Sequence, residues 1–327
     1  MNWGILATGS IAASFAQDLQ LHGHNVVAVG SRRLESAEQF AKQFGIARAH
    51  GSYEALVDDP QVEAVYVATP HTMHAANAKL ALHHGKHVLI EKPFTINADE
   101  AAQVIGLAAE RDLIVMEGMW TRFLPHMLRI REIIASGVLG TIRSIIVDHT
   151  QDITDDPAHR LNALALGGGA LLDLGIYPVS FIWDVLGAPD TVMASAVFKP
   201  TGADAQVAAL FRYGSQAVAV ALAGSDSAGR NIATIHGTAG RIEINPVWYA
   251  PTSFRRYNEE EAIVESYRSE VSGRGMYYEA AELDRRVRDG VTSGTVLPPS
   301  ETLAIMRCLD GIRAQIGLRY LGEGEAP

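Results

Sequence analysis

The stretch His87-Val88-Leu89-Ile90-Glu91-Lys92-Pro93 decides how this chain is read. Its apolar run has the length and character of a strand buried on both faces, the kind that builds parallel sheets. Lys92 then stands at the strand's carboxyl end, the edge where open α/β sheets take their ligands. Because Pro93 disfavours helical geometry in the residue before it, Lys92 is held extended. A catalytic cation and an ordinary surface lysine fit these residues equally, and the flanking sequence has to choose between them.

On both sides of this stretch, apolar runs alternate with helical spacing. Trp3 to Ala7, Val26 to Gly30, Val62 to Ala68 and Leu113 to Met116 are expected strands. Helices are expected over Leu34 to Phe44, His71 to His84 and Ala98 to Arg111, with Gly45 and Gly85 as stops. Such alternation predicts an α/β domain, a doubly wound parallel sheet with helices on both faces. His71, His74, His83, His84 and His87 lie close in sequence, but no carboxylate supports them at metal-ligand spacing, so they are read as helix faces and loop caps. No metal site is expected.

Between the first strand and its helix lies Ala7-Thr8-Gly9-Ser10-Ile11-Ala12, a G-x-G-x-x-A dinucleotide fingerprint with alanine in place of the first glycine. Gly9 lets a pyrophosphate approach the backbone, and the amides that open the helix attract its charge. A small-residue turn is the plainer alternative. About 20 residues further on, where an acidic residue holds the ribose of NAD, the chain has Ser31-Arg32-Arg33. Two arginines opening a helix oppose its dipole, which points to an anion there, and a ribose 2′-phosphate is the obvious one. NADP is expected over NAD, with NAD possible; pairing of the arginines with Glu35 and Glu38 is the alternative.

The 327 residues exceed what one core usually serves, and 48% apolar with 20% charged residues is the mixture of a globular protein. A formal net charge of -10 and the lack of any basic run argue against nucleic acid as a partner. Cys308 is the only cysteine, which leaves no intrachain disulfide. With no leader pattern and no apolar run near the roughly 18 residues of a membrane span, a cytoplasmic location is expected.

Past Gly137 the spacing becomes alternating, as in Ile142, Ser144, Ile146, Asp148 and Thr150. Further strands are expected at Thr191 to Lys199, Ala205 to Tyr213, Gln216 to Ala223, Asn231 to His236, Arg241 to Asn245 and Ser253 to Tyr257. The second domain is thus α+β, with a large, mostly antiparallel open sheet. Helices over Gly169 to Leu186, Met276 to Arg288 and Ser300 to Leu318 are expected to cover one face, leaving the other for a second subunit. The division is placed after residue 120: 1–120 for nucleotide, 121–327 for substrate and oligomerisation, with the final helix free to pack back. Asp173 and Tyr177 fall four apart on one helix side, and Pro178 is expected to kink that helix. Trp120, Arg122 and Phe123 are candidate substrate contacts, an indole for a sugar face and a guanidinium for a hydroxyl, with burial in the core as the alternative.

Taken in order, Ala7 to Ala12, the loop Ala68-Thr69-Pro70-His71-Thr72-Met73-His74, Glu91-Lys92-Pro93, and Gly167-Gly168-Gly169 through Asp173 to Tyr177 resemble the glucose-fructose oxidoreductase, inositol dehydrogenase and MocA (Gfo/Idh/MocA) family. The likeness covers nearly the whole chain. It is strongest to the branch of dimeric dihydrodiol dehydrogenases and NADP-dependent D-xylose dehydrogenases, which carries tyrosine at the position of Tyr177 where most of the family carries histidine. The resemblance implies a Rossmann domain that holds the cofactor through Ala7, Thr8, Gly9, Ser10, Ile11, Ser31, Arg32, Arg33, Thr69, Pro70, His71, His74, Glu91, Lys92 and Pro93. It also implies symmetric oligomers and an NADP-dependent oxidoreductase acting on a hydroxyl-bearing carbon of an aldose or a cyclic trans-diol.

Chemically, such a reaction needs a group to take the hydroxyl proton while hydride leaves the carbon. Tyr177 is the expected group, and since a free phenol titrates near pH ~10, a neighbouring cation has to favour its phenolate. Lys92 is that cation, and Asp173 is expected to accept a substrate hydroxyl and to help orient the lysine. All three would meet in a cleft between the domains. A non-catalytic cofactor-binding sensor, or redox-assisted glycoside cleavage on the same scaffold, are the competing functions.

Overall fold

The computed structural model describes residues 1–320. They divide into two compact units, Met1–Trp120 with Val271–Met306, and Thr121–Glu270 with the chain from Arg307 on. Residues 321–327, included in the expected second domain, lie outside the described residues.

In the first unit β1 (Asn2–Leu6), α1 (Ser10–Leu21), β2 (Asn25–Gly30), α2 (Leu34–Phe44), β3 (Arg48–His50), α3 (Tyr53–Val57), β4 (Ala64–Val67), α4 (His74–His83), β5 (His87–Glu91), α5 (Ala98–Glu110) and β6 (Val115–Gly118) follow one another. The six strands form one parallel sheet in the order β3-β2-β1-β4-β5-β6. Val65, Tyr66, Val67, Val88, Leu89 and Ile90 are wholly buried, as strands covered on both faces must be. Strand order reverses between β1 and β4, so the loops that start at Ala7 and Ala68 flank the switch point where such sheets bind ligands. Tyr66 links that edge to the core: its ring stacks on Phe15 at 3.7 Å, and its hydroxyl donates to Glu91. The expected helix from His71 to His84 is broken, since His71–Met73 make a 3-10 turn before α4.

The second unit holds α6 (Pro125–Ala135), β7 (Ile142–Thr150), a π-helical turn at Leu171–Gly175 that runs into α7 (Ile176–Leu186), and seven further strands. These are β8 (Thr191–Phe198), β9 (Asp204–Tyr213), β10 (Ala217–Gly224), β11 (Ala233–Gly237), β12 (Gly240–Ile244), β13 (Ser253–Asn258) and β14 (Ile263–Arg268). The sheet runs β14-β13-β12-β11-β7-β10-β9-β8, antiparallel except where β7 meets β10. One face buries Ile145, Val147, Phe211, Ala219, Ala221 and Ile235, and the Leu171–Leu186 segment packs on it. On the other face Met193 pairs with Leu210, Leu210 with Val220, and Val220 with Ile146, an apolar row across four strands. Against the expectation of no long apolar stretch, Leu164–Leu186 is apolar and long enough to cross a membrane; 89% of its apolar window is buried, as in a core helix.

The expected extent of the second domain is corrected in one respect: Val271–Met306 belongs to the first unit. This segment contains α8 (Tyr277–Asp289), which therefore packs with α1 instead of covering the large sheet. Asp18 on α1 is the reason. Its buried carboxylate accepts the amides of Arg274 at 2.8 Å and Met276 at 2.7 Å, where a carboxylate meets the positive end of a helix. His22 adds a ring stacked on Tyr277 at 3.4 Å. Glu279 is fully buried beside this contact; burial, then the charges of Glu91, Asp18 and Glu117, push its pKa well above the ordinary glutamate value. In α9 (Pro299–Ile316), residues up to Met306 go with the first unit and the rest with the second.

Candidate active site

In the first unit the fingerprint turn takes an unusual backbone. Ala7 has φ 90, a region L-residues rarely enter, which is why glycine suits this position; its amide donates to Gly30 at 2.9 Å. Gly9 has an ordinary φ of -76, and a side chain there would meet nothing within 4 Å. Nothing inside the protein therefore requires glycine at that position, and the open space suits a group approaching from outside. No side chain caps α1, and its first turn carries no acid, so its leading amides suit a phosphate. Thr8 and Ile11 are partly accessible and Ser10 is exposed along the same turn.

At the end of β2, Ser31 donates its amide to His50 at 3.1 Å, and Arg32 and Arg33 are exposed. Among the described residues neither arginine pairs with Glu35 or Glu38; Arg33 is left to the solvent edge, and Arg32 meets the Tyr53 phenol. The donors present thus fit a dinucleotide with an extra phosphate on its ribose.

At the next two strand ends, Glu91 accepts the Tyr66 hydroxyl and the Lys92 amide, the latter at 3.1 Å, and the Lys92-Pro93 peptide is cis. Thr69, His71 and His74 are all buried. His74, an expected cofactor contact, has its Nδ1 2.8 Å from the Pro93 carbonyl and its Nε2 2.8 Å from that of Thr69. Burial, with the charges of His71 and Lys92, pushes this imidazole down to about 3 against the pull of the two carbonyls. The neutral ring donates to one carbonyl at a time.

In the second unit Asp173 lies in the π-helical turn and Tyr177 in the first turn of α7. The expected kink at Pro178 is displaced: the helix widens over Leu171–Gly175, one turn earlier, where the missing Pro178 amide would have bonded. Asp173 is buried and receives both Arg160 amino groups, at 3.1 and 3.3 Å. Tyr177 is 7% exposed, edge-on to His149 at 4.9 Å, while His149 stacks on Tyr249 at 3.8 Å. The Gln151 amide donates to His149 Nε2 at 2.9 Å and to the Tyr249 hydroxyl at 3.3 Å, which leaves the imidazole proton on Nδ1.

The helix bearing Asp173 and Tyr177 starts on a buried carboxylate. Asp204 accepts the Leu171 amide at 2.6 Å, and burial raises its pKa to about 6. Gly169 has φ +128, and a Cβ there would lie 1.9 Å from Asp204 Oδ1, so this part of the triple glycine is needed for the cap. Asp204, Arg160, His149, Gln151 and Tyr249 escaped the sequence reading. Only His149 left a signal, as the polar residue at the end of the buried parity of β7, two past Val147.

All three candidate substrate contacts are buried. Trp120 and Phe123 are 3% and 5% exposed, with Arg274 over the Trp120 ring at 5.5 Å. Arg122 is 2% exposed, donates to the Ser180 carbonyl at 2.6 Å and pairs with Asp184 at 3.5 Å. A buried guanidinium needs such partners, and α7 supplies them. No three His, Cys, Asp or Glu side chains among the described residues could hold a metal ion.

A parallel-sheet unit with a dinucleotide turn, and a second unit whose eight-stranded sheet is packed by a helix carrying a buried tyrosine, are the arrangement of a two-unit nucleotide-dependent oxidoreductase. The chain belongs to the Gfo/Idh/MocA family: residues 1–119 match its oxidoreductase domain with NAD-binding Rossmann fold, and residues 127–243 match the family's C-terminal domain. It is 34% identical to trans-1,2-dihydrobenzene-1,2-diol dehydrogenase of Macaca fascicularis, covering 98% of both chains. It is also 34% identical to the D-xylose 1-dehydrogenase (NADP(+)) of Hypocrea jecorina, over 98% of this chain and 93% of that one. Among solved structures, KijD10, a 3-ketoreductase from Actinomadura kijaniata in complex with NADP and TDP-benzene, superimposes with a TM-score of 0.84 at 26% identity, covering 97% of this chain and 98% of that one.

Proposed function

We propose that this protein is an NADP-dependent dehydrogenase that oxidises a hydroxyl-bearing carbon of an aldose sugar or a cyclic trans-diol, or runs the reverse reduction. The observation that carries the reading is the pairing of full-length likeness to two such dehydrogenases with an intact Lys92, Asp173 and Tyr177. Exposed Arg32 and Arg33 without carboxylate partners among the described residues support the 2′-phosphate form of the cofactor. When bound, the nicotinamide supplies the hydride acceptor.

Tyr177 takes the substrate hydroxyl proton as the carbonyl forms, and returns one in reduction. The Lys92 ammonium lowers the cost of the phenolate. Asp173, steadied by Arg160, accepts a second substrate hydroxyl. The proposed cofactor contacts are Ala7 to Ile11, Ser31 to Arg33, Thr69 to His71, and Glu91 to Pro93.

Screening aldoses, inositols and trans-diols at the reduced-nicotinamide absorbance band tests the function. Net reduction of NADP with at least one class is the expected outcome. Cofactor binding without turnover would make the chain a sensor, and glycoside cleavage without net reduction would move it to other nicotinamide chemistry.

The same reading makes the protein a homo-oligomer through the outer sheet face. The row Met193, Leu210, Val220 and Ile146 supports it, because Met193 and Ile146 are 59% and 57% exposed on the face opposite the Leu171–Leu186 segment. A cytoplasmic location is part of the proposal, supported by the lone Cys308, and the net charge of -10 disfavours nucleic acid.

A further inference from the structure

We infer that His74 is a positioning residue that fixes where the Lys92 side chain starts, by tying the Lys92-Pro93 turn to the loop after β4. The inference rests on the role proposed for Lys92. One imidazole spans two backbone carbonyls, Pro93 at 2.8 Å from Nδ1 and Thr69 at 2.8 Å from Nε2. Thr69 follows β4 and Pro93 follows β5, so the ring bridges the carboxyl ends of neighbouring strands at the edge from which Lys92 emerges.

The surroundings serve the same bridge. Asn77, one turn along α4, donates to the Thr69 hydroxyl at 3.2 Å, so two polar side chains of one helix hold that loop. His71 lies edge-on to His74 at 5.6 Å. On the other side of Lys92, the Glu91 carboxylate accepts the Lys92 amide at 3.1 Å. The backbone is therefore held both before and after the lysine. A lysine stem has four rotatable carbons, and the protein controls the ammonium chiefly through the placement of the Cα from which the stem leaves.

Packing alone does not account for this histidine. His74 is 0% exposed, and a buried imidazole costs free energy that phenylalanine or leucine in its place would not, unless its nitrogens are used. Both are aimed at carbonyls of the site loops. Burial, then the charges of His71 and Lys92, keep the ring neutral, so across the neutral pH range it donates its one N–H to one of the two carbonyls at a time, and it is no pH switch.

The test compares His74→Phe, which keeps a ring but no donor, and His74→Gln, which keeps a donor, in wild-type and Lys92→Met enzyme. Fluorescence titration with NADPH reads cofactor binding, and steady-state kinetics against pH read catalysis. With His74→Phe, NADPH affinity stays within about 3-fold, while kcat falls by roughly 10- to 100-fold, the scale of a misplacement of about 1 Å. The rise of kcat with pH moves to higher pH, in the direction that Lys92→Met moves it, because a displaced ammonium favours the phenolate less.

His74→Gln recovers most of the loss. In the Lys92→Met background His74→Phe costs less than about 3-fold, since there is no ammonium left to place. An equal loss in both backgrounds, or lower thermal stability with an unmoved kcat and pH profile, overturns the inference and leaves His74 a structural brace. Normal turnover by Lys92→Met alone overturns the role of Lys92 itself, and that result needs no His74 variant. Should His74→Phe fail to fold, His74→Asn, too short to span both carbonyls, carries the same comparison.

Discussion

At Ala7 the chain departs from the fingerprint and accepts the consequence in its backbone. A non-glycine residue at φ 90 costs about 1–2 kcal/mol, while glycine loses roughly 0.5–1 kcal/mol more in unfolded-state entropy. Ala7→Gly is therefore expected to raise stability by up to about 1 kcal/mol, read by urea unfolding, with NADPH affinity kept; a loss of stability would mean the turn is not strained. The substitution was visible in the sequence, but its strain was not, because φ depends on where β2 holds the Ala7 amide. Arg122 shows the opposite limit. Its type suited a substrate hydroxyl, and only the folded chain reveals Ser180 and Asp184 as its partners. Arg122→Leu is expected to lower stability by roughly 1.5–3 kcal/mol, the worth of hydrogen bonds to a charged group, with KM unchanged. A raised KM at unchanged stability would return Arg122 to the substrate.

Among the elements, strands of the first unit were legible because burial on both faces writes them as continuous apolar runs. β3, α3, α6 and β14 were not, being too short, too exposed or placed at the domain junction to show a period. The helix that carries Asp173 and Tyr177 was legible as a helix, while its anchor was not: Asp204 lies 33 residues from Leu171 in sequence. This anchor has a pH signature. Its folded pKa of about 6 lies above the ordinary carboxyl value of 3.8, so the favourable contribution is full below pH ~4 and is lost as pH rises to ~6. Asp204→Asn is expected to remove that fall, worth up to about 3 kcal/mol at roughly 1.4 kcal/mol per pKa unit, in unfolding curves across this window. Parallel pH dependence in the two proteins would place the buried carboxyl's titration elsewhere. Gly169→Ala, which meets Asp204 Oδ1, is expected to unfold more readily than either.

For the molecule as a whole, the two-unit plan was readable from the change of period past Gly137. The return of Val271–Met306 to the first unit was hidden, because it depends on Asp18 meeting Arg274 and Met276 across 256 and 258 residues. The proposed association through the outer sheet face yields a direct expectation: Ile146→Glu or Val220→Lys places a charge in the apolar row and shifts light scattering toward the mass of one chain, whereas an unchanged mass would remove that face from the interface. The proposed activity is also a property of the whole chain, since it assigns Lys92 and Tyr177 to one reaction. Stopped-flow absorbance at the reduced-nicotinamide band, with NADP and the best substrate of the panel, tests this most directly. The account predicts that Lys92→Met and Tyr177→Phe each slow hydride transfer by roughly 10²- to 10⁴-fold with NADPH binding kept; transfer at the wild-type rate in either variant would contradict it.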